Sequence, residues 1–384
     1  MEKRTMSNDK PKIGLITYHA AYNFGSVLQT YGTIKTINDL GYDIETIDYR
    51  TPSQTFWYQT DFSRKKGLRG MIDNFGFQFI RSKRSERAKR YEDFIATFLR
   101  PTTRRYTRYE QFKDSTFDYD ILISGSDQVW NIGCGEFKYE PSEAILPYFL
   151  QFGNPQKRIA YASSFGGQTL RNIRKYKDLL SQYDSLSTRE PIIREYIERV
   201  TGRDVELVCD PTWLLNKNEW LSLPGIYQPA AGQKYIFVYA LYWDFRALKH
   251  WLPKISALAD RYGMEVYCMS PLNYHRDKRI HMIQEAGPVD FLSYMAHASL
   301  IVTNTFHGTI FSMNFEVPFY SCCVQPGSRQ GQMLAMCGLE DRIINNPQEL
   351  LEDSKIECDF TESAITINNL RNKSIHYLKE AIES

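Results

Sequence analysis

His307 is the residue of this sequence best placed to move a proton: it follows the apolar run Ile301-Val302 and is flanked by Thr303, Asn304, Thr305, Gly308 and Thr309. An imidazole titrating near neutrality, set among hydroxyl and amide groups at the carboxyl end of a strand, suits general acid–base work. A histidine satisfied inside the core is its rival. The other six, at 19, 250, 275, 281, 297 and 376, have no comparable setting.

Three further segments combine an apolar strand with chemistry at its exit. In Ser124-Gly125-Ser126-Asp127-Gln128-Val129-Trp130-Asn131, Asp127 is placed to take a proton from a hydroxyl and Gly125 permits close backbone approach. Trp130 offers a flat apolar face to a sugar ring, with Ser126 beside it. The alternative is an aspartate that only caps the next helix. In Ser187-Thr188-Arg189-Glu190-Pro191, Arg189 stands at a strand end before a helix opened by proline, where a guanidinium clamps phosphate or carboxylate, or pairs with a neighbouring acid. In Tyr22-Asn23-Phe24-Gly25-Ser26, Asn23 and Gly25 lead into a helix whose free amides suit an anion or a sugar hydroxyl, unless this is a simple tight turn. No GxGxxG is present, which weakens any dinucleotide reading.

The elements that must position these residues follow from periodicity. Apolar runs predict strands at 13–17, 44–47, 119–124, 158–163, 185–188 and 205–209, and helical spacing predicts helices at 26–40, 170–182 and 190–200. A Pro/Gly-rich stretch at 216–234 reads as a linker. A second series follows, with strands at 235–241, 265–269, 300–303 and 318–322, helices at 245–262 and 290–298, and a terminal amphipathic helix at 362–383. The expected fold is α/β, two doubly wound Rossmann-like domains facing a cleft, GT-B-like. The domains are 1–215, with a basic helical insertion at about 50–110, and 216–361; the helix at 362–384 packs back across the hinge.

At 384 residues the chain exceeds the size of a single core. With 42% hydrophobic and 24% charged residues and no long apolar run, it is not expected to span a membrane. The charged N-terminus lacks a signal-peptide core, so a cytoplasmic location is expected. Seven cysteines at irregular spacing point to neither a disulfide framework nor a zinc site. Net charge is +2, yet residues 50–110 hold 15 Lys and Arg against 6 Asp and Glu. Phe56, Trp57, Tyr58, Phe62, Phe75, Phe77 and Phe79 are interleaved with those cations, a mixture suited to an anionic interface with apolar depth or to a solvated helical hairpin.

Taken in order, the motifs N-x-G-x-x-L-Q (23–29), GSDQVWN (125–131), S-x-R-E (187–190) and T-x-x-F-H-G (303–308) resemble those of the polysaccharide pyruvyltransferase family over nearly the whole chain. The resemblance implies transfer of pyruvate from phosphoenolpyruvate onto two hydroxyls of one sugar of a surface polysaccharide precursor, commonly lipid-linked, giving a cyclic ketal and phosphate. It implies that His307 is the acid/base and that Arg189 binds phosphoenolpyruvate. Arg329, nine residues before Gly338, takes the cationic position that is often Lys. Asp127 assists the acceptor hydroxyl, and Asn23, Gly25, Ser126, Trp130, Thr305 and Gly308 complete the binding set. Many members carry Arg-Leu-His where this chain has Thr305-Phe306-His307, so Arg329 is the cation expected to compensate.

No metal or cofactor is required by this chemistry, phosphoenolpyruvate being the donor substrate. The expected partners are that donor, a lipid-linked or polymeric sugar acceptor, and the inner face of the cytoplasmic membrane through residues 50–110, with no nucleic acid. Two other readings share the architecture: a GT-B glycosyltransferase using a nucleotide sugar, and a non-catalytic carbohydrate-binding component of envelope assembly.

Overall fold

The computed structural model describes residues 10–59, 81–270, 272, 277–325, 327–352 and 356–384. The chain divides into two compact units: residues 1–60, 95–214 and 371–384 form the first, and 61–94 with 215–370 the second. The described residues 81–94, read from sequence within an insertion of the first domain, thus count with the second unit.

Unit 1 is built on short apolar strands buried on both faces, the signature of a parallel sheet covered by helices. β1 (Ile13–Ile16), β2 (Ile44–Thr46), β3 (Ile121–Ser124) and β4 (Lys157–Ala160) pair in parallel in the order β2-β1-β3-β4. A parallel bridge between Ile159 and Ser185 leads on to the pair β5 (Ser187–Thr188) and β6 (Glu206–Leu207). α1 (Phe24–Asp39) follows β1, starting at Asn23, whose side chain accepts the Gly25 amide. α2 (Pro52–Gln59) follows β2. The helix expected at 170–182 is broken into Leu170–Ile173, a 3-10 turn at Arg174–Tyr176 and Lys177–Leu180, with Tyr176 stacked at 5.0 Å on Phe149. The C-terminal part of the last helix packs here: Ser374 accepts the Cys209 amide at 2.8 Å and Tyr377 donates to the Ala160 carbonyl at 2.9 Å.

Unit 2 carries six parallel strands in the order β12-β11-β10-β7-β8-β9. They are β7 (Tyr235–Tyr239), β8 (Glu265–Met269), β9 (Ile280–Ile283), β10 (Leu300–Thr303), β11 (Phe319–Cys322) and β12 (Ile343–Ile344). α3 (Arg81–Phe98) precedes them in the chain, and its Arg90 pairs with Asp290 at 2.7 Å while Lys83 meets Glu285 at 3.3 Å. α4 (Phe245–Tyr262), capped by Asp244, lays Leu248, Trp251, Leu252, Ile255 and Leu258 into the core. α5 (Phe306–Asn314) follows β10 and α6 (Arg329–Met336) follows β11. Among the described residues, no helix is long and apolar enough to cross a membrane. Most of the aromatic and basic residues noted between 57 and 80, and the side chain of Arg81, lie outside the described residues.

Candidate functional site

The strand order of unit 2 reverses between β10 and β7: the chain runs from β7 out through β8 to β9, then returns to β10 and leaves the other way. Ligands of open parallel sheets bind beyond the carboxyl ends of the strands at such a reversal. Here the two strand ends are sewn together by hydroxyls. Thr303 Oγ1 donates to the Tyr239 carbonyl at 2.9 Å, which leaves Thr305 to donate to Thr303 across 3.0 Å. Thr305 Oγ1 then accepts the Gly308 amide at 2.9 Å and so caps α5. Every proton in this chain has one acceptor, and the backbone that delivers His307 is fixed by it.

Gly308 is required by that geometry, because a Cβ there would come within 2.6 Å of Thr305 Oγ1 and 2.9 Å of Thr303 Cβ. His307 stands in the first turn of α5, partly exposed, where the helix dipole favours an anionic guest. Its ring lies 5.4 Å from Phe306 at 85°. The Arg329 guanidinium carbon lies 5.5 Å from the centroid of the same Phe306 ring. Arg329 is the first residue of α6, capped by Ser328, whose Oγ accepts the Gly331 amide at 3.1 Å. Gln330 donates to Thr309 Oγ1 at 2.8 Å and also to Ser321, tying the start of α6 to α5 and β11. Sequence reasoning passed over Asn304, whose buried Oδ1 accepts no hydrogen bond among the described residues. An unmet buried acceptor next to a catalytic candidate calls for a partner such as water or a bound group.

Unit 1 reverses strand order between β1 and β3, and again a threonine bridges the gap: Thr17 Oγ1 donates to the Ser126 carbonyl at 2.8 Å. Asp127 follows, in the left-handed region at φ +78. Its Oδ2 accepts Ser26 Oγ at 2.7 Å and its Oδ1 accepts the Gln128 amide at 2.9 Å. The Arg189 side chain is 2% exposed, donates to Ser126 Oγ at 3.0 Å, pairs with Asp210 and stands 3.6 Å from Asp127. Burial alone would lower its pKa, but Asp210, Asp127 and Glu190 together raise it, so the charge is kept.

Several expected roles change accordingly. Trp130 is fully buried, stacked at 5.4 Å on Phe149 with its indole N–H on the Tyr148 carbonyl, and offers no face to a sugar. Thr305 and Ser126 are buried, with their hydroxyls engaged in the protein's own bonds. Asn23 and Gly25 bond to each other at 3.0 Å in the cap of α1. Gly125 gives room to Thr17, whose Cβ would stand 2.9 Å from an added Cβ. Arg189, read as an anion clamp or as the partner of a neighbouring acid, has its side chain buried and paired with Asp210. His19, also passed over, is buried with Nε2 on Asp48 at 3.0 Å; Asp48 accepts Arg50 at 2.6 Å and Arg105 at 3.1 Å as well.

A family model described as polysaccharide pyruvyl transferase matches residues 23–323. No curated protein sequence matches. Among solved structures, a UDP-N-acetylglucosamine 2-epimerase matches at TM-score 0.54 and 9% identity, over 97% of this chain and 95% of its own. The UDP-GlcNAc 2-epimerase of Neisseria meningitidis, bound to UDP-GlcNAc, matches at TM-score 0.51 and 9% identity over 96% and 99%. At such identities the likeness shows the fold alone, and that fold is the expected GT-B-like α/β arrangement of parallel sheets.

Proposed function

The chain belongs to the polysaccharide pyruvyl transferase family, and we propose that it transfers pyruvate from phosphoenolpyruvate onto two hydroxyls of one sugar, forming a cyclic ketal and releasing phosphate. The observation that carries this reading is the Arg329–Phe306–His307 cluster: an acid/base and a cation share one aromatic ring, each in the first turn of its own helix, at the strand reversal of unit 2. Two helix N-termini and a guanidinium suit the carboxylate and phosphate of the donor.

The chemistry balances around one imidazole. One sugar hydroxyl adds to C2 of phosphoenolpyruvate as the imidazolium delivers a proton to C3, and the proton lost by that hydroxyl reprotonates the imidazole and restores the acid. The C2–O bond to phosphate then breaks, Arg329 stabilising the departing charge, and the second hydroxyl closes on C2, its proton leaving with phosphate. His307 is assigned both proton transfers at C3 and at the first hydroxyl. Asn304 Oδ1 is assigned to receive a donor group of the bound substrates. Arg189 and Asp127 are assigned to positioning: their charges already meet each other and Asp210, and they hold the exit of β3 against α1. No separate metal or cofactor enters this route.

The acceptor is proposed to be a lipid-linked or polymeric saccharide met at the inner face of the cytoplasmic membrane, with the basic segment 50–110 as the contact. The test is phosphate release from phosphoenolpyruvate with a panel of lipid-linked and free sugar acceptors. Acceptor-dependent release that His307→Ala abolishes supports the reading. Turnover of a nucleotide sugar in its place moves the chain to the glycosyltransferases, a reading the fold likeness to UDP-sugar enzymes keeps in view. Saccharide binding without any turnover would leave a binding component.

A further inference from the structure

Unit 1 holds a concavity that shares no residue with either strand-reversal cluster. It encloses about 660 Å³ and is walled by residues 52–56, 107–110 and 139–144, a volume inside the roughly 300–1,000 Å³ of small-molecule sites. Two large rings meet at it edge to face: Phe56, 42% exposed, and Tyr139, 67% exposed, with centroids 6.4 Å apart at 80°. Tyr109 adds a third ring, and Arg108, Glu110 and Glu140 add charge. The wall is tied together, since Glu140 Oε1 accepts the Ser53 amide at the start of α2 at 2.6 Å.

The mixture selects its guest. An acyl chain laid here would strand a guanidinium and two carboxylates against hydrocarbon. A phosphate or acidic headgroup would face Glu110 and Glu140, while the Lys113 and Lys138 ammonium groups are engaged over the Tyr109 and Tyr139 rings at 4.8 and 5.4 Å. A neutral pyranose ring presents an apolar C–H face to the aromatic rings, hydroxyl donors to the carboxylates and hydroxyl acceptors to the guanidinium. We propose that this cavity is a second carbohydrate subsite, holding a neutral sugar of the acceptor away from the sugar whose hydroxyls react. The inference rests on the reading of the acceptor as a saccharide longer than one ring.

The experiment uses the full chain, fluorescently labelled, on an array of neutral bacterial oligosaccharides with no phosphoenolpyruvate present, followed by titration of the best-retained oligosaccharide. Wild type is expected to bind, Tyr139→Ala to bind at least about tenfold more weakly, and Tyr139→Phe to bind like wild type. Tyr139 is exposed, so Tyr139→Ala keeps the wild-type melting temperature, which is measured alongside. No oligosaccharide retained, or equal binding by Tyr139→Ala, overturns the proposal. Tyr139-dependent capture by phosphatidylglycerol vesicles with no oligosaccharide bound overturns it in favour of a lipid. Because no donor is present, failure of pyruvyl transfer leaves these outcomes readable.

Discussion

Arg329 lies with its guanidinium carbon 5.5 Å from the centroid of the Phe306 ring. Since Phe306 precedes His307, this contact brings a cation onto the ring next to the histidine in the chain, although the sequence carries threonine and phenylalanine there. The charge comes from a helix that begins more than twenty residues later, and Gln330 fixes that helix to Thr309 and Ser321.

Arg329→Ala is expected to remove a charged contact to the donor worth about 1.5–3 kcal/mol, roughly 10- to 150-fold in kcat/KM for phosphoenolpyruvate. Arg329→Lys keeps the charge without the planar fork and should recover part of it. Phe306→Ala removes the ring that seats the guanidinium, a cation–π contact of about 0.5–2 kcal/mol. Its loss should therefore be smaller and in the same direction. Steady-state phosphate release reads all three, and an unchanged kcat/KM in Arg329→Ala would remove Arg329 from donor binding.

Gly308→Ala should disable the enzyme through local structure. The added methyl group meets Thr305 Oγ1 and Thr303, so the cap of α5 must open, at a cost of about 1–3 kcal/mol for overpacking. Thr305→Ala loses the cap alone, about 0.5–2 kcal/mol. Thr305→Ser keeps the hydroxyl and should restore both stability and turnover. Thermal melting alongside phosphate release distinguishes these outcomes; a fully active Thr305→Ala would show that the cap does not set the histidine.

How much of this was legible beforehand depends on range. The helix Phe245–Tyr262 and the strands Glu265–Met269 and Leu300–Thr303 occupy the very residues their periodicity predicts, because each carries enough residues to show its period. β12 (Ile343–Ile344) is too short for a period, and β9 (Ile280–Ile283) interrupts its apolar run with the exposed His281. His307 was legible from its strand and its glycine. Its relation to Arg329 was not, since it arises from β11 lying beside β10. Trp130 reads as an exposed loop residue, yet Phe149, Phe165 and Tyr183, distant in sequence, enclose it. Arg189 likewise follows a strand as a phosphate clamp would, but Asp210 comes from another loop to neutralise it.

That neutralisation makes Arg189 a stability residue. Arg189→Ala leaves Asp210 and Asp127 without their buried counter-charge, and removing one partner of such a network costs about 3–5 kcal/mol. The melting temperature should fall sharply, in contrast to Arg329→Ala, which should melt like wild type. A stable Arg189→Ala protein with a raised KM for phosphoenolpyruvate alone would return Arg189 to donor binding.

His19, Asp48, Arg50 and Arg105 form the other charged cluster of unit 1, and they set its response to acid. Burial by itself would raise the Asp48 carboxyl, but the hydrogen bond and charge of His19, followed by Arg50, hold it well below the usual carboxylate range. A carboxyl lowered by folding binds its proton more readily when unfolded. Its contribution to stability is therefore complete above the unfolded value of about 3.9 and is lost as pH falls from there through the folded value. Asp48→Asn should melt lower than wild type at neutral pH and lose part of the acid-dependent decline below about pH 4. His19→Gln keeps a hydrogen-bonding side chain but no charge, so the carboxyl should rise toward its ordinary value and the acid-dependent decline should shrink. Melting temperatures of the three proteins between pH 3 and 7 check this, and superimposable acid limbs would show that Asp48 does not govern them.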